Sequence, residues 1–155
     1  YKIGDMPIYL DERTLESLEL RFQYIFSKEN RYPGAPSVTS NIVANAPFFV
    51  DDLKITPIEV MHGTLPVTAY RFLDFAYLTD MKSITKQEKE KLKNLDVLVI
   101  NALRIEEHPT HLNLQEAFEF INEIQPKRTY FTHISHKLSF HSEVSKNLPK
   151  NLLEN

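Results

Sequence analysis

Cysteine is absent from all 155 residues, which excludes disulfides and thiolate metal ligands. No apolar run approaches the roughly 20 residues needed to cross a bilayer, and no signal-peptide pattern is recognisable. A cytoplasmic protein with no membrane partner is therefore the expectation. Net charge is −3 with no long run of one sign, so composition gives no argument for nucleic acid as a partner. Internal repeats, low-complexity tracts and the spacings HxxxH and CxxC are also missing. No histidine precedes His62. The first residue is Tyr1 instead of methionine, and it runs straight into strand-like sequence.

What is present is ordinary for a globular protein, 42% hydrophobic and 25% charged. Residues 1–155 are read as a single domain, long enough to bury a sizeable core. Met6 to Leu10 reads as a short buried strand. Asp11 or Thr14 then opens a helix with Leu15, Leu18, Phe22, Ile25 and Phe26 along one side, read as core. Ser27 to Thr39 holds Pro33, Gly34 and Pro36 and reads as a loop long enough to border a site. Strands follow at Ile42–Val43, Phe48–Val50, Leu53–Met61, Thr68–Leu73 and Phe75–Thr79, the last two joined by a turn at Leu73–Asp74. A charged helix spans Thr85 to Asn94, with Lys86 to Lys93 expected on its solvated face. Asp96 to Ile100 is a continuous apolar run suited to a strand buried on both faces. Strands first and strand–helix alternation later predict a layered α/β sandwich.

Five of the six histidines lie between His108 and His141. Asn113 followed three residues later by Glu116 is a capping-box pattern, so a helix starts near Leu114, with Leu114, Ala117, Phe118, Ile121 and Ile124 on its buried side. His111 stands two residues before the cap, beside a helix N-terminus that favours anions. Pro126 stops that helix, Thr129 to Thr132 reads as a strand, and His133 follows directly on it. A further helix is expected from Ser142. His62 and Asp80 also follow strand readings, and Gly63 allows a tight turn beside His62. Two histidines and an aspartate at strand ends are a nitrogen and oxygen set suited to zinc, manganese or iron. Each of these residues taken alone also fits an ordinary turn or cap. Arg104, His108 and His111 form a separate polar cluster, and His136 and His141 read as surface or supporting residues.

The ordered set His62–Gly63, Leu78–Thr79–Asp80, His108–Pro–Thr–His111–Leu and Thr132–His133–Ile–Ser–His136 resembles the metallo-β-lactamase superfamily. More narrowly it is similar to the branch of phosphoribosyl cyclic phosphodiesterase and, at a greater distance, tRNase Z. The resemblance implies an αββα sandwich, incomplete here at its N-terminal side, with two divalent metal ions (zinc or manganese) at one edge. It implies that His62 ligates one metal, Asp80 bridges both and His133 ligates the second. His111 would match the family histidine that contacts the substrate phosphate or protonates the leaving group, which makes His111 and Asp80 the expected catalytic pair. The implied activity is metal-dependent hydrolysis of a small-molecule phosphodiester or cyclic phosphate. The family's main signature, H-x-H-x-D-H, has no counterpart before His62, and the strands after its last metal histidine are cut short at Asn155. The expectation is thus the C-terminal part of such an enzyme, inactive alone, holding one metal or none and associating as a homo-oligomer. A non-catalytic sandwich domain that binds a ligand or partner is the alternative left open.

Overall fold

The structure is a computed structural model that describes residues 5–27, 34–144 and 146. The loop expected over Ser27 to Thr39 falls partly outside these residues, as do the expectations attached to Tyr1 and Asn155. The chain divides into two compact units, Tyr1–Ala46 and Pro47–Asn155.

In the first unit, β1 (Met6–Leu10) pairs in parallel with β2 (Val38–Ile42). Asp11 caps α1 (Glu12–Arg21) by accepting from the Thr14 amide, and the helix breaks at Phe22 before the short α2 (Gln23–Phe26). The apolar positions expected as core are not buried in either helix. Two strands and two short helices make too small a layer to enclose them. Periodicity identified the face without identifying a partner for it.

The second unit is built on a six-stranded sheet in the order β3–β4–β5–β6–β7–β8. β3 (Phe48–Val50), β4 (Leu53–His62), β5 (Leu65–Phe72) and β6 (Phe75–Leu78) form an antiparallel run. Gly63 makes the turn between β4 and β5 with φ +65°. β7 (Val97–Asn101) and β8 (Arg128–Thr132) then add in parallel to β6. Because β4 and β6 are both antiparallel to β5, the C-terminal ends of β4, β6, β7 and β8 lie at one end of the sheet. This topology creates the site, since loops leaving those four strands must emerge together.

Alternation along the strands sends Ile58, Val60, Ala69, Ala76, Leu78, Leu98 and Ile100 into one buried cluster. α4 (Leu114–Ile124) joins the cluster through Ala117, Phe120 and Ile121. Its capping box is complete: Asn113 Oδ1 accepts from the Glu116 amide at 2.8 Å, and Glu116 Oε2 accepts from the Asn113 amide at 2.9 Å. The charged helix is shorter than expected, α3 (Lys86–Lys89) running into a 3-10 turn at Glu90–Leu92. Its face is also less solvated than expected. Leu92 is fully buried, and the Glu88 carboxylate accepts from the Glu59 amide of β4 at 2.8 Å and from Lys91 Nζ at 2.7 Å. A buried carboxylate needs such partners, and here they fasten the helix to the sheet. The helix expected from Ser142 is the short α5 (His141–Val144). The α/β class is borne out.

Candidate metal centre

His62 is the last residue of β4, Asp80 lies two residues beyond β6, and His133 follows directly on β8. Asp80 and His133 both adopt left-handed backbone, with φ of +54° and +56°. Non-glycine residues pay about 1 kcal/mol or more for this region. Something must therefore hold them there, and at Asp80 the holder is visible.

Asn101, fully buried at the end of β7, clamps the residue after Asp80. Its Oδ1 accepts from the Met81 amide at 2.9 Å, and its Nδ2 donates to the Met81 carbonyl at 3.0 Å. The same carbonyl accepts from the Leu112 amide at 2.9 Å, next to His111. Met81 is itself buried. At the neighbouring strand end, Met61 exchanges backbone hydrogen bonds with Lys82 and Ser83, which ties the residue before His62 to the loop after Asp80. Ala102 donates to the Thr132 carbonyl, just before His133. Each site residue is thus adjacent to a backbone fastening into another site loop.

Sequence reasoning passed over Asn101. The signal was a carboxamide closing an apolar strand run, which has no obvious solvent to face.

The side chains of His62, His111 and His133 gather around Asp80. Its Oδ1 lies 3.0 Å from His111 Nε2 and 3.3 Å from His133 Nε2. His62, Asp80 and His111 each offer one ligand atom, and these atoms all lie within 4.8 Å of one another. The His111 ring stacks on His133 with centroids 4.7 Å apart and meets His62 edge to face at 4.5 Å. Donors about 2.1 Å from a tetrahedral ion sit about 3.4 Å from one another. The Asp80 pairings match that spacing, and an imidazole–carboxylate set is right for zinc or manganese. The residues fit a divalent metal. His111 lies inside this cluster, 8% exposed.

His111 is also gripped from its other side. Its Nδ1 lies 2.9 Å from Thr110 Oγ1 and 3.2 Å from His108 Nδ1. Burial holds the His111 pKa below its ordinary value of 6.5, helped by the His62 and His133 charges, against the opposing pull of the hydrogen bond to Asp80. His108 is held low too, by desolvation and then by the Arg104 guanidinium. Arg104 braces this loop by donating to the carbonyls of Glu106 and Glu107. The polar cluster read as separate is therefore joined to the site through His111. His62, Asp80 and His111 make up the ligand group found among the described residues; His133, expected as a ligand, lies outside it although its Nε2 faces Asp80, and His136 and His141 are outside it too.

Residues 2–134 match the family model for the beta-lactamase superfamily domain. The chain belongs to the beta-lactamase superfamily. A solved diphosphatase of the PhnP family is 35% identical with a TM-score of 0.86, over 97% of this chain and 55% of that one. Human tRNase Z, short form, is 16% identical with a TM-score of 0.57, over 86% of this chain and 62% of that one, a likeness of fold alone. A curated octanoyltransferase of Porphyromonas gingivalis is 36% identical over 150 residues, 96% of this chain but 30% of that protein. The chain thus spans less than a third of that relative and about half of the PhnP-family structure. Superfamily membership bears out the family resemblance and the metallo-β-lactamase fold, and its members are hydrolases.

Proposed function

We propose that this chain carries part of a two-metal phosphodiesterase site, acting on a small-molecule phosphodiester or cyclic phosphate. The observation that supports the reading most is a single carboxylate oxygen of Asp80 faced by two histidine Nε2 atoms at 3.0 and 3.3 Å, at the sheet end where four strand termini meet. In this reading His62, Asp80 and His133 would hold the divalent ions. When bound, such ions would supply polarisation of a phosphoryl group and activation of water near neutral pH.

The chain's own residues do the rest. Asp80 keeps its carboxylate at the centre because the Asn101 clamp fixes the backbone beside it. His111 Nε2 delivers a proton to the leaving oxygen, from a ring locked by stacking on His133 and by hydrogen bonds at Nδ1. Burial around His111 excludes water from that transfer. With one shared carboxylate, this segment supplies two donors to each ion, whereas catalytic zinc keeps three protein ligands. The remaining donors must come from elsewhere in the protein, so the segment alone is expected to hold at most one metal, weakly, and to be inactive.

The test is metal analysis and hydrolysis of bis(p-nitrophenyl) phosphate by the full-length protein and its Asp80→Asn variant. The reading expects two metals and turnover, with both lost in the variant. Full metal content in Asp80→Asn, or a fully metallated protein inert toward phosphodiesters, would refute it.

A further inference from the structure

The segments that carry Asp80 and His111 run side by side and are joined at three successive places. Asp80 Oδ1 meets His111 Nε2 at 3.0 Å, and one residue further along each segment the Leu112 amide donates to the Met81 carbonyl at 2.9 Å. The third join is an ion pair, Lys82 Nζ donating to Glu116 Oε1 at 2.6 Å. Glu116 uses its other oxygen in the α4 cap, where Oε2 accepts from the Asn113 amide at 2.9 Å. One carboxylate therefore grips Lys82 on one side and the Asn113 backbone on the other. We propose that Lys82 and Glu116 are positioning residues, a strap that holds the start of α4, and with it His111, against the loop that presents Asp80.

Both ends of the strap are anchored in the frame. The Lys82 amide donates to the Met61 carbonyl at 2.7 Å, next to His62, so its loop does not simply follow α4. Glu116 stands on the first turn of an 11-residue helix whose Ala117, Phe120 and Ile121 are buried. Residues 111–113 between these anchors are buried but belong to no helix or strand, so cross-links set their course. Leu112 is bonded at both backbone groups, to Met81 and Leu103, which fixes one point of the segment. The strap fixes a second, and two points give a direction. The pair is also better shielded than an ordinary surface contact. Its side chains are 25% and 31% exposed, against 66% and 64% for Lys93 and Glu90, so water screens it less. Lys89 and Glu123 supply an internal comparison: about two turns further along α4 they form an ion pair that ends on no site loop.

The effect on turnover rests on the hydrolase reading, while the effect on residues 111–113 does not. Both are read in the full-length protein. Lys82→Met removes the ammonium and keeps most of the stem. Glu116→Gln removes the charge, and its amide oxygen still caps the Asn113 amide. Hydrogen exchange of the Leu112 and Asn113 amides in metal-free protein, followed by NMR against the β7 amides, should quicken about 5- to 20-fold in either variant. In metal-loaded protein kcat for bis(p-nitrophenyl) phosphate should fall by a similar factor, with KM little changed. The double variant should do no more than either single one, since all three remove the same interaction. Lys82→Arg, which still reaches Glu116, should restore both readings, and Lys89→Met should leave both at wild type. Unchanged Leu112 exchange in Lys82→Met, equal quickening in Lys89→Met, or additive losses in the double variant would each overturn the proposal. Glu116→Gln decides on the same readings if Lys82→Met does not fold. The expected exchange pattern in a protein without turnover would count against the hydrolase reading and leave the strap standing.

Discussion

Replacing Asn101 with alanine should damage the site from one strand away, and the size of the damage can be worked out. The carboxamide is fully buried and makes two hydrogen bonds to Met81. The Met81 carbonyl keeps a partner in the Leu112 amide, so the one group orphaned is the Met81 N–H. An unsatisfied buried donor costs about 1–3 kcal/mol. The small cavity left by the amide adds about 1 kcal/mol, giving a loss of roughly 2–4 kcal/mol in unfolding free energy. The second effect is local. Asp80 sits at φ +54°, a conformation it would leave if its neighbour were released. Metal affinity should then fall about 10- to 100-fold, as for other outer-shell supports. Urea unfolding of metal-free protein measures the first term, and competition with a chromophoric chelator measures the second. Leu98→Ala is the control. It empties a fully buried position on the same strand and should destabilise by about 2–5 kcal/mol while leaving metal affinity intact. A loss below about 0.5 kcal/mol for Asn101→Ala, or equal affinity losses in both variants, would refute the clamp.

His111→Ala in the full-length protein should lower turnover about 10²- to 10⁴-fold with metal content unchanged, and metal loss would instead make His111 a ligand. Gly63→Ala forces φ +65° on a residue with a Cβ and drives that carbon to 3.0 Å from Thr110 Cγ2, so the urea midpoint should fall by the equivalent of about 1–2 kcal/mol. A neutral result would show that the turn relaxes without cost. Burial holds the folded pKa of His111 below 6.5, so the unfolded chain binds the extra proton first. Stability of the metal-free protein should therefore decline as pH falls through about 6.5 and level off once the folded pKa is passed. Unfolding measured across that range should lose this slope in His111→Gln, and an unchanged slope would assign the acid sensitivity to other groups.

Much of the second unit was legible because its signals are local. The Asn113–Glu116 pair sits within one helical turn, the Asp96 to Ile100 run is apolar throughout, and the Leu73–Asp74 turn follows two strand patterns. The convergence of His62, Asp80 and His133 was also readable, since each follows a strand and strand termini gather ligands in such sheets. What escaped was decided by distant partners. Nothing near Leu15 or Phe22 tells whether a layer covers them, and nothing near Glu88 announces the Glu59 amide that buries it. Asn101 and Thr110 look like commonplace polar residues until the loops after β6 and β4 are laid beside them.

The fastenings around the site have a further consequence for how its chemistry can change. Met61, Met81, Leu112 and Thr132 join the four loops mostly through backbone amides and carbonyls, groups that nearly every residue carries. The side chains that would meet a metal project from the adjoining positions and take little part in that lacing. Frame and payload are therefore nearly independent: a lineage could exchange or discard the side chains at 62, 80, 111 and 133 while the loops kept their course. The same lacing can present different donor sets to different substrates, which lets one scaffold serve many reactions.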